Sequence, residues 1–385
     1  MRPASIPAAV RFTALSLATL VGACDSQESP GIADPRAADA VVFDSLIAHF
    51  ELSALPAIPY PANNPPNPER IALGRLLFFD PILGGESAPW VKAAAGHDPW
   101  RFRENDVACA TCHHPDLAFS DGRRLSAGVS GGQFRETDLG PDRVVPGRSV
   151  ITGEPVGIVP RNAPSILNTA FNGLDTPEPS DRSFMFMDGR VTEGLEAQAI
   201  LPITSRDEMA GDAYPESEAQ DSVVARLRAL PEYVARFVQA FAGEVRSGGD
   251  IEIGHVGRAL AAYERELVTP GSRYDQFVAG DYQALDAQER EGFRLFFGKG
   301  LCGPCHSGPM LSDYRMHVLG VADDYDQIHP GFLGKNGEGG DFGRFHADPM
   351  AFADQKYAFR SVTIRMVEKT GPYFHSGSAR TLHEV

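Results

Sequence analysis

Cys109-Ala110-Thr111-Cys112-His113 and Cys302-Gly303-Pro304-Cys305-His306 decide how this chain is read. Both have the form C-x-x-C-H, the spacing that covalent attachment of a c-type haem requires. Two thiols must reach the two vinyl groups of one porphyrin, and the next residue must turn its imidazole under the iron. Neutral imidazole suits iron, and a hydrogen bond can fix its second ring nitrogen. A zinc site and a thioredoxin-like redox pair are the competing readings. Zinc ribbons place two C-x-x-C pairs roughly 15–20 residues apart; here the separation is 193. A redox pair does not require a His directly after its second Cys, and here that His occurs twice. The sequence therefore calls for two covalently bound haem c groups. Cys109, Cys112, Cys302 and Cys305 anchor them, and His113 and His306 are the proximal iron ligands.

Four of the five cysteines are thereby used, and Cys24 is the fifth. Arg2 and Arg11 precede a short apolar stretch over 12–23, the order of a secretory signal peptide, so residues 1–23 are expected to be removed. The signal ends Val21-Gly22-Ala23-Cys24, a sequence like a bacterial lipoprotein cleavage box. In that reading Cys24 carries a lipid; the other is an ordinary signal that happens to contain a Cys. The expected location is the periplasm, with attachment to a membrane through Cys24. Export agrees with the haem sites, because c-type haem is attached outside the bacterial cytoplasm. Losing two arginines with the signal takes the formal charge from −16 to −18. Such a charge excludes a nucleic-acid binder that relies on phosphate attraction. No apolar run reaches the roughly 18–20 residues of a spanning helix.

Residues 24–66 are rich in Ala, Pro, Asn and Asp, with six prolines between Pro56 and Pro68, and read as a flexible tether. Folded sequence is expected from Asn67-Pro68-Glu69-Arg70, an N-cap, a first-turn Pro and an early acid. Helical spacing follows over 222–241, broken by Pro231, then over 255–268 and about 286–297. No useful strand alternation is present, so the fold class is all-α. Long irregular stretches, notably 131–160 and 323–350, need something large to organise them, and a prosthetic group would do so. A break after Val268 divides the chain into 67–270 and 271–385, with one haem site in each.

Around the two haem motifs lie further short sequences in a fixed order. Leu73-Gly74-Arg75-Leu76-Leu77-Phe78-Phe79-Asp80 precedes the first. Between the two come Arg161-Asn162-Ala163-Pro164-Ser165, Asp188-Gly189-Arg190 and Glu208-Met209. Asp341-Phe342-Gly343-Arg344 and Thr370-Gly371-Pro372-Tyr373-Phe374-His375-Ser376-Gly377 follow the second. In this arrangement the chain resembles the bacterial di-haem cytochrome c peroxidases and the related MauG enzymes, from about Asn67 to Val385. The resemblance implies two cytochrome-c-like haem domains, the N-terminal one binding peroxide and the C-terminal one passing electrons. It also implies a calcium ion between them, held here by Asn162 and the carbonyls of Thr370 and Pro372; oxygen ligands suit such a cation. Family members are often dimers, so a homodimer is expected.

Cleaving a peroxide O–O bond needs a proton moved from one oxygen to the departing one. A carboxylate held above an open haem face can do this as base and then acid. Glu208 matches the family's catalytic Glu, and Gln198 its distal Gln, an uncharged donor able to orient peroxide. Taken alone, a Glu in a charged loop reads as a solvated surface group; its place in the motif series reverses that.

Two departures stand out. Family members that are inactive when fully oxidised carry a His in a Ser-x-Gly-His context on the open face of the first haem. Here Ser126-Ala127-Gly128 is followed by Val129, and no His occurs from 115 to 254. Valine cannot ligate iron, so the first haem is expected to be open without reductive activation. His114 is too close to His113 to reach the opposite face. Met187 stands where the family usually has Trp between the haems, which puts a Trp-mediated electron hop in doubt; packing is its plain reading.

The sixth ligand of the second haem, Met in the peroxidases and Tyr in MauG, is expected near position 389. The chain stops at Val385, inside what reads as a helix beginning near Thr381, so a truncated last segment is the expectation, with Met350 or Met366 as substitutes. His375 reads as a packing or electron-transfer residue. The resemblance implies reduction of hydrogen peroxide to water with electrons from a small cytochrome c or a cupredoxin. Two alternatives remain: a MauG-like enzyme oxidising Trp or Tyr of a partner protein, and a non-catalytic di-haem electron carrier.

Overall fold

A computed structural model describes residues 35–85, 107–126, 128–129, 147–148, 155–157, 159, 161–172, 184–212, 215–321 and 340–385. Nine α-helices occur among them: α1 (Pro35–His49), α2 (Pro68–Phe79), α3 (Cys109–Cys112), α4 (Leu195–Gln198), α5 (Ala219–Ala229), α6 (Pro231–Ala240), α7 (Ile253–Glu264), α8 (Arg273–Val278) and α9 (Ala287–Phe297). Two antiparallel ladders, each of two residues per strand, complete the regular structure. β1 (Gly147–Arg148) pairs with β2 (Pro155–Val156), and β3 (Met316–His317) with β4 (Phe359–Arg360). The fold is thus mainly helical and irregular rather than strictly all-α. No described helix is long and apolar enough to cross a membrane. The signal, Cys24 and most of 131–160 lie outside the described residues.

α2 begins as its sequence requires. The Asn67 side chain accepts the Arg70 N–H at 2.8 Å and Pro68 occupies the first turn. Leu73, Leu77 and Phe78 are buried on one side. Gly74 lets α2 approach α7 closely: a Cβ there would stand 1.8 Å from the Ala259 carbonyl oxygen. Pro231 ends α5 and opens α6, as its missing N–H dictates. These helices close a large apolar core that includes Ala110, Val129, Met209, Phe237, Phe241 and Leu260. Each large apolar side chain among them contributes about 1.5–3 kcal/mol by leaving water.

A second core lies beyond Val268. Phe277, Phe293, Phe297 and Leu311 pack with Phe43 and Leu52. The Phe43 ring stands 5.0 Å from Phe277 and 5.9 Å from Phe293, edge-on to both. This corrects the expected tether. From Phe43 to Asn64 the segment belongs to the folded body: Asn64 donates to Glu196 and accepts from Arg70 at 2.7 Å. Its prolines sit between anchoring residues, so they stiffen a fixed strap instead of a free linker. The expected helix near Thr381 is also corrected. Residues 381–384 make a single turn, closed by Glu384 N–H donating to the Thr381 carbonyl at 3.0 Å.

Candidate haem-attachment and catalytic site

The first motif forms the short helix α3, in which Ala110 is buried in the larger core. His113 follows at its end. The His113 Nδ1 lies 3.0 Å from the Phe119 carbonyl. Ala118 and Phe119 both have left-handed backbones, φ 52° and 57°, which turn that carbonyl back to the ring. If Nδ1–H donates there, Nε2 keeps its lone pair. Burial holds the imidazole below its ordinary pKa and so neutral, the form that binds iron.

The second motif is a turn rather than a helix, yet it repeats the device. His306 N–H donates to the Cys302 carbonyl at 3.0 Å. His306 Nδ1 lies 2.9 Å from the carbonyl of Leu311, another left-handed residue with φ 51°. Two unrelated local backbones thus hold an imidazole in the same way directly after C-x-x-C.

The thiols fit the same group. All four described cysteines are free. Burial, with help from Glu264, pushes the Cys109 thiol up to about 12, and burial raises Cys112 as well. Uncharged thiols in an apolar setting suit thioether formation better than a zinc thiolate site. Beside the second motif, Ser361 Oγ donates to the Cys305 carbonyl at 3.2 Å. Its neighbour Arg360 has Nε and Nη2 enclosed with no hydrogen-bond partner. Burial lowers that guanidinium to about 10. A haem brings two carboxylates, and these unused N–H groups are donors ready for one.

Glu208 sits in a π-helical turn, Arg206–Ala210, a local form often found at functional sites. Its backbone carbonyl accepts the Val129 N–H at 2.8 Å. Burial raises the Glu208 carboxyl above the usual range; Arg190, Arg161 and the Ser205 hydroxyl pull the other way and only partly offset it. The carboxyl also acts through space on Cys112, which ties it to the first motif. Val129 is fully buried and touches the Glu208 backbone, so the expected His position is filled by an aliphatic side chain. Gln198 ends α4, which packs on α7, and its half-buried amide makes no hydrogen bond among the described residues.

The calcium residues are partly brought together. Asn162 Nδ2 donates to the Pro372 carbonyl at 2.6 Å. As placed, the amide nitrogen faces that carbonyl; a half-turn would present the oxygen instead. Thr370 lies in the same loop, its hydroxyl donating to the Val367 carbonyl.

The motif residues given no role in the sequence form an ionic knot. Arg161 binds Asp341 through two nitrogens at 2.5 and 2.8 Å and Asp188 at 2.7 Å. Arg190 also binds Asp188, at 2.8 Å. Burial would raise both carboxyls, but Arg161 overcomes it and holds them below the usual range. Arg360 N–H donates to the Met187 carbonyl at 2.8 Å. His375 stacks flat on Phe359 at 3.8 Å, a packing arrangement. Met350 is 94% exposed, which argues against it as a ligand within a buried haem pocket. Sequence reading passed over Glu264 and over His317, whose Nε2 lies 2.8 Å from Asp313 and whose Nδ1 lies 3.8 Å from Cys305 Sγ. Neither belongs to a recognisable short motif.

The profile of a family described as di-haem cytochrome c peroxidase matches residues 68–283. The methylamine utilization protein MauG of Methylorubrum extorquens is 32% identical over 329 residues, 86% of this chain and 70% of that one. Cytochrome-c peroxidase IdrP1 of Denitromonas iodatirespirans is 30% identical over 355 residues, 87% of this chain and 76% of its own. Among solved structures, a MauG-like protein associated with microbial copper homeostasis superimposes with a TM-score of 0.59 at 26% identity, over 86% of this chain and 79% of that one.

Proposed function

The chain belongs to the di-haem cytochrome c peroxidase family, and from that premise we propose that it is an exported di-haem c-type peroxidase. It reduces hydrogen peroxide to water with electrons from a small redox protein, a cytochrome c or a cupredoxin. The observation that carries this reading is Glu208: a carboxyl raised by burial, coupled to Cys112, with Val129 on its backbone.

Cys109, Cys112 and His113 would hold the first haem, in the N-terminal lobe over 67–270. Cys302, Cys305 and His306 would hold the second, in the lobe over 271–385. What bound haem supplies is the redox equivalents for splitting the O–O bond. The protein carries the proton from one oxygen to the other. The Glu208 carboxylate accepts it from one peroxide oxygen and returns it to the departing one, so neither oxygen leaves as a bare anion. Gln198 donates a hydrogen bond that orients the peroxide without adding charge. Val129 offers no ligand, so the first site is open in the fully oxidised protein and needs no reductive activation. Calcium at Asn162, Thr370 and Pro372, a homodimer, and a periplasmic location with a lipid at Cys24 belong to the same proposal.

The test is direct. Hydrogen peroxide added to the ferric protein should react at once. Glu208→Gln should lower turnover by about 10²–10⁴-fold. Near-normal turnover in that variant refutes its role, and a spectrum of purely six-coordinate low-spin iron refutes the open site.

A second reading is supported by the 32% identity to a MauG protein and by Val129. In it the same site oxidises Trp or Tyr of a partner protein. Steady turnover with reduced cytochrome c favours the peroxidase; failure with every small donor, with oxidation of a partner protein, favours the second. A mere di-haem electron carrier would have no use for Glu208 or for an open site.

A further inference from the structure

One buried acid is used by nothing above. Glu264, at the end of α7, is 6% exposed, and its Oε2 is enclosed with no hydrogen-bond partner. The adjacent Arg265 pulls its carboxyl down without overcoming burial, being committed through bonds of 2.6 and 2.9 Å to Glu196 of α4, which itself raises the Glu264 carboxyl. From α2, Arg70 is bonded to Asn64, and Arg75 acts on Tyr263. From α5, Arg226 donates to the Gly84 carbonyl and Arg228 to that of Ile251. α3 presents Cys109, on whose thiol Glu264 acts through space. Cys109 would become a covalent bond to the porphyrin, so this acid lies within electrostatic reach of the place where the first haem would be anchored. An unsatisfied buried polar group costs stability, and more so if charged; an apolar side chain would fill the site without that cost.

We propose that Glu264 is the redox-linked proton site of the first haem: its carboxylate takes one proton from solvent when that iron gains an electron, and releases it when the electron leaves. The electron comes from a one-electron donor, a redox protein in the cell or a mediator dye in a titration. Iron(III) becomes iron(II) and the carboxylate becomes a carboxylic acid, so the pocket's net charge is unchanged and no other bond is altered. The physical cause is low dielectric. Iron(III) favours a nearby carboxylate; once its extra positive charge is gone, desolvation favours the neutral acid. Burial already raises this carboxyl to about 8, within reach of such a switch near neutral pH.

The inference rests on haem attachment at Cys109 and on neither reading of the reaction. In haem-loaded protein, the midpoint potential of the first haem should fall as pH rises from about 6 to 9. Glu264→Gln should flatten that dependence. The reduced-minus-oxidised infrared spectrum should contain a carboxylic-acid C=O band that disappears in Glu264→Gln and persists in Glu208→Gln. An unchanged slope in Glu264→Gln, or a band lost only in Glu208→Gln, overturns the proposal. Should Glu264→Gln lose haem, proton uptake by the wild type on reduction decides: its absence overturns the proposal. A chain without haem at Cys109 overturns attachment and inference together; a haem-loaded chain with a pH-independent potential overturns the inference alone.

Discussion

The two attachment loops share a device and differ in everything around it. In each, the His after C-x-x-C sets Nδ1 against a carbonyl supplied by a left-handed turn, Phe119 in one and Leu311 in the other. The first loop is a helix set into the larger core, and two raised carboxyls, Glu208 and Glu264, act on its thiols. The second is a turn beside a His–Asp pair. Three exposed apolar residues adjoin it: Leu301 directly before Cys302, and Val318 and Leu319 directly after His317. On the proposed reading, the motif would fix how iron is held and the surroundings what the iron is for. Enclosed acids suit the proton movements of peroxide cleavage, and an apolar surface beside the anchor suits a passing redox protein.

The largest effect expected from this contrast comes from removing one site at a time. Cys109→Ala with Cys112→Ala should leave one covalent haem and abolish reaction with peroxide. Cys302→Ala with Cys305→Ala should also leave one, keep a single turnover with peroxide, and abolish steady turnover with a protein donor. Haem quantification and stopped-flow spectra read both. Peroxide reactivity that survives loss of the first site breaks the comparison.

A smaller effect tests the strap from Phe43 to Asn64. Phe43→Ala should destabilise the protein by about 3–5 kcal/mol in urea, because the ring is fully buried among Phe277 and Phe293. A free tether would give a change within about 0.5 kcal/mol.

That strap also marks where the sequence was legible and where it was not. α2, α5, α6 and α9 could be read because Asn67, Pro231 and Asp286 are local signals that act within one turn. The haem loops were legible because covalent chemistry demands fixed spacing. Phe43 and Leu52 were hidden, since their partners lie more than 200 residues away and the prolines between Pro56 and Pro68 resemble a linker by composition alone. Glu264 was hidden for a related reason. An acid at the end of an amphipathic helix reads as solvated until α2 and α4 are seen to pack on α7 and leave it buried. Glu208 was legible only through its place among the motifs; the π-turn and the Val129 contact that make it usable are tertiary facts.

The smallest effect should come from Leu319→Asn. Leu319 is 70% exposed, so stability should change by no more than about 0.5 kcal/mol. Its only predicted work is to lose water against a partner. One residue near an interface rarely supplies more than about 1 kcal/mol, so KM for a protein electron donor should rise only a few-fold. The rate of the ferric protein with peroxide should stay unchanged, since that reaction uses the first loop and its acids. The informative quantity is therefore the ratio of the two effects. A KM that rises while peroxide reactivity holds assigns the apolar surface to electron entry. A peroxide rate that falls with it would mean that the two loops do not divide the work as their surroundings imply.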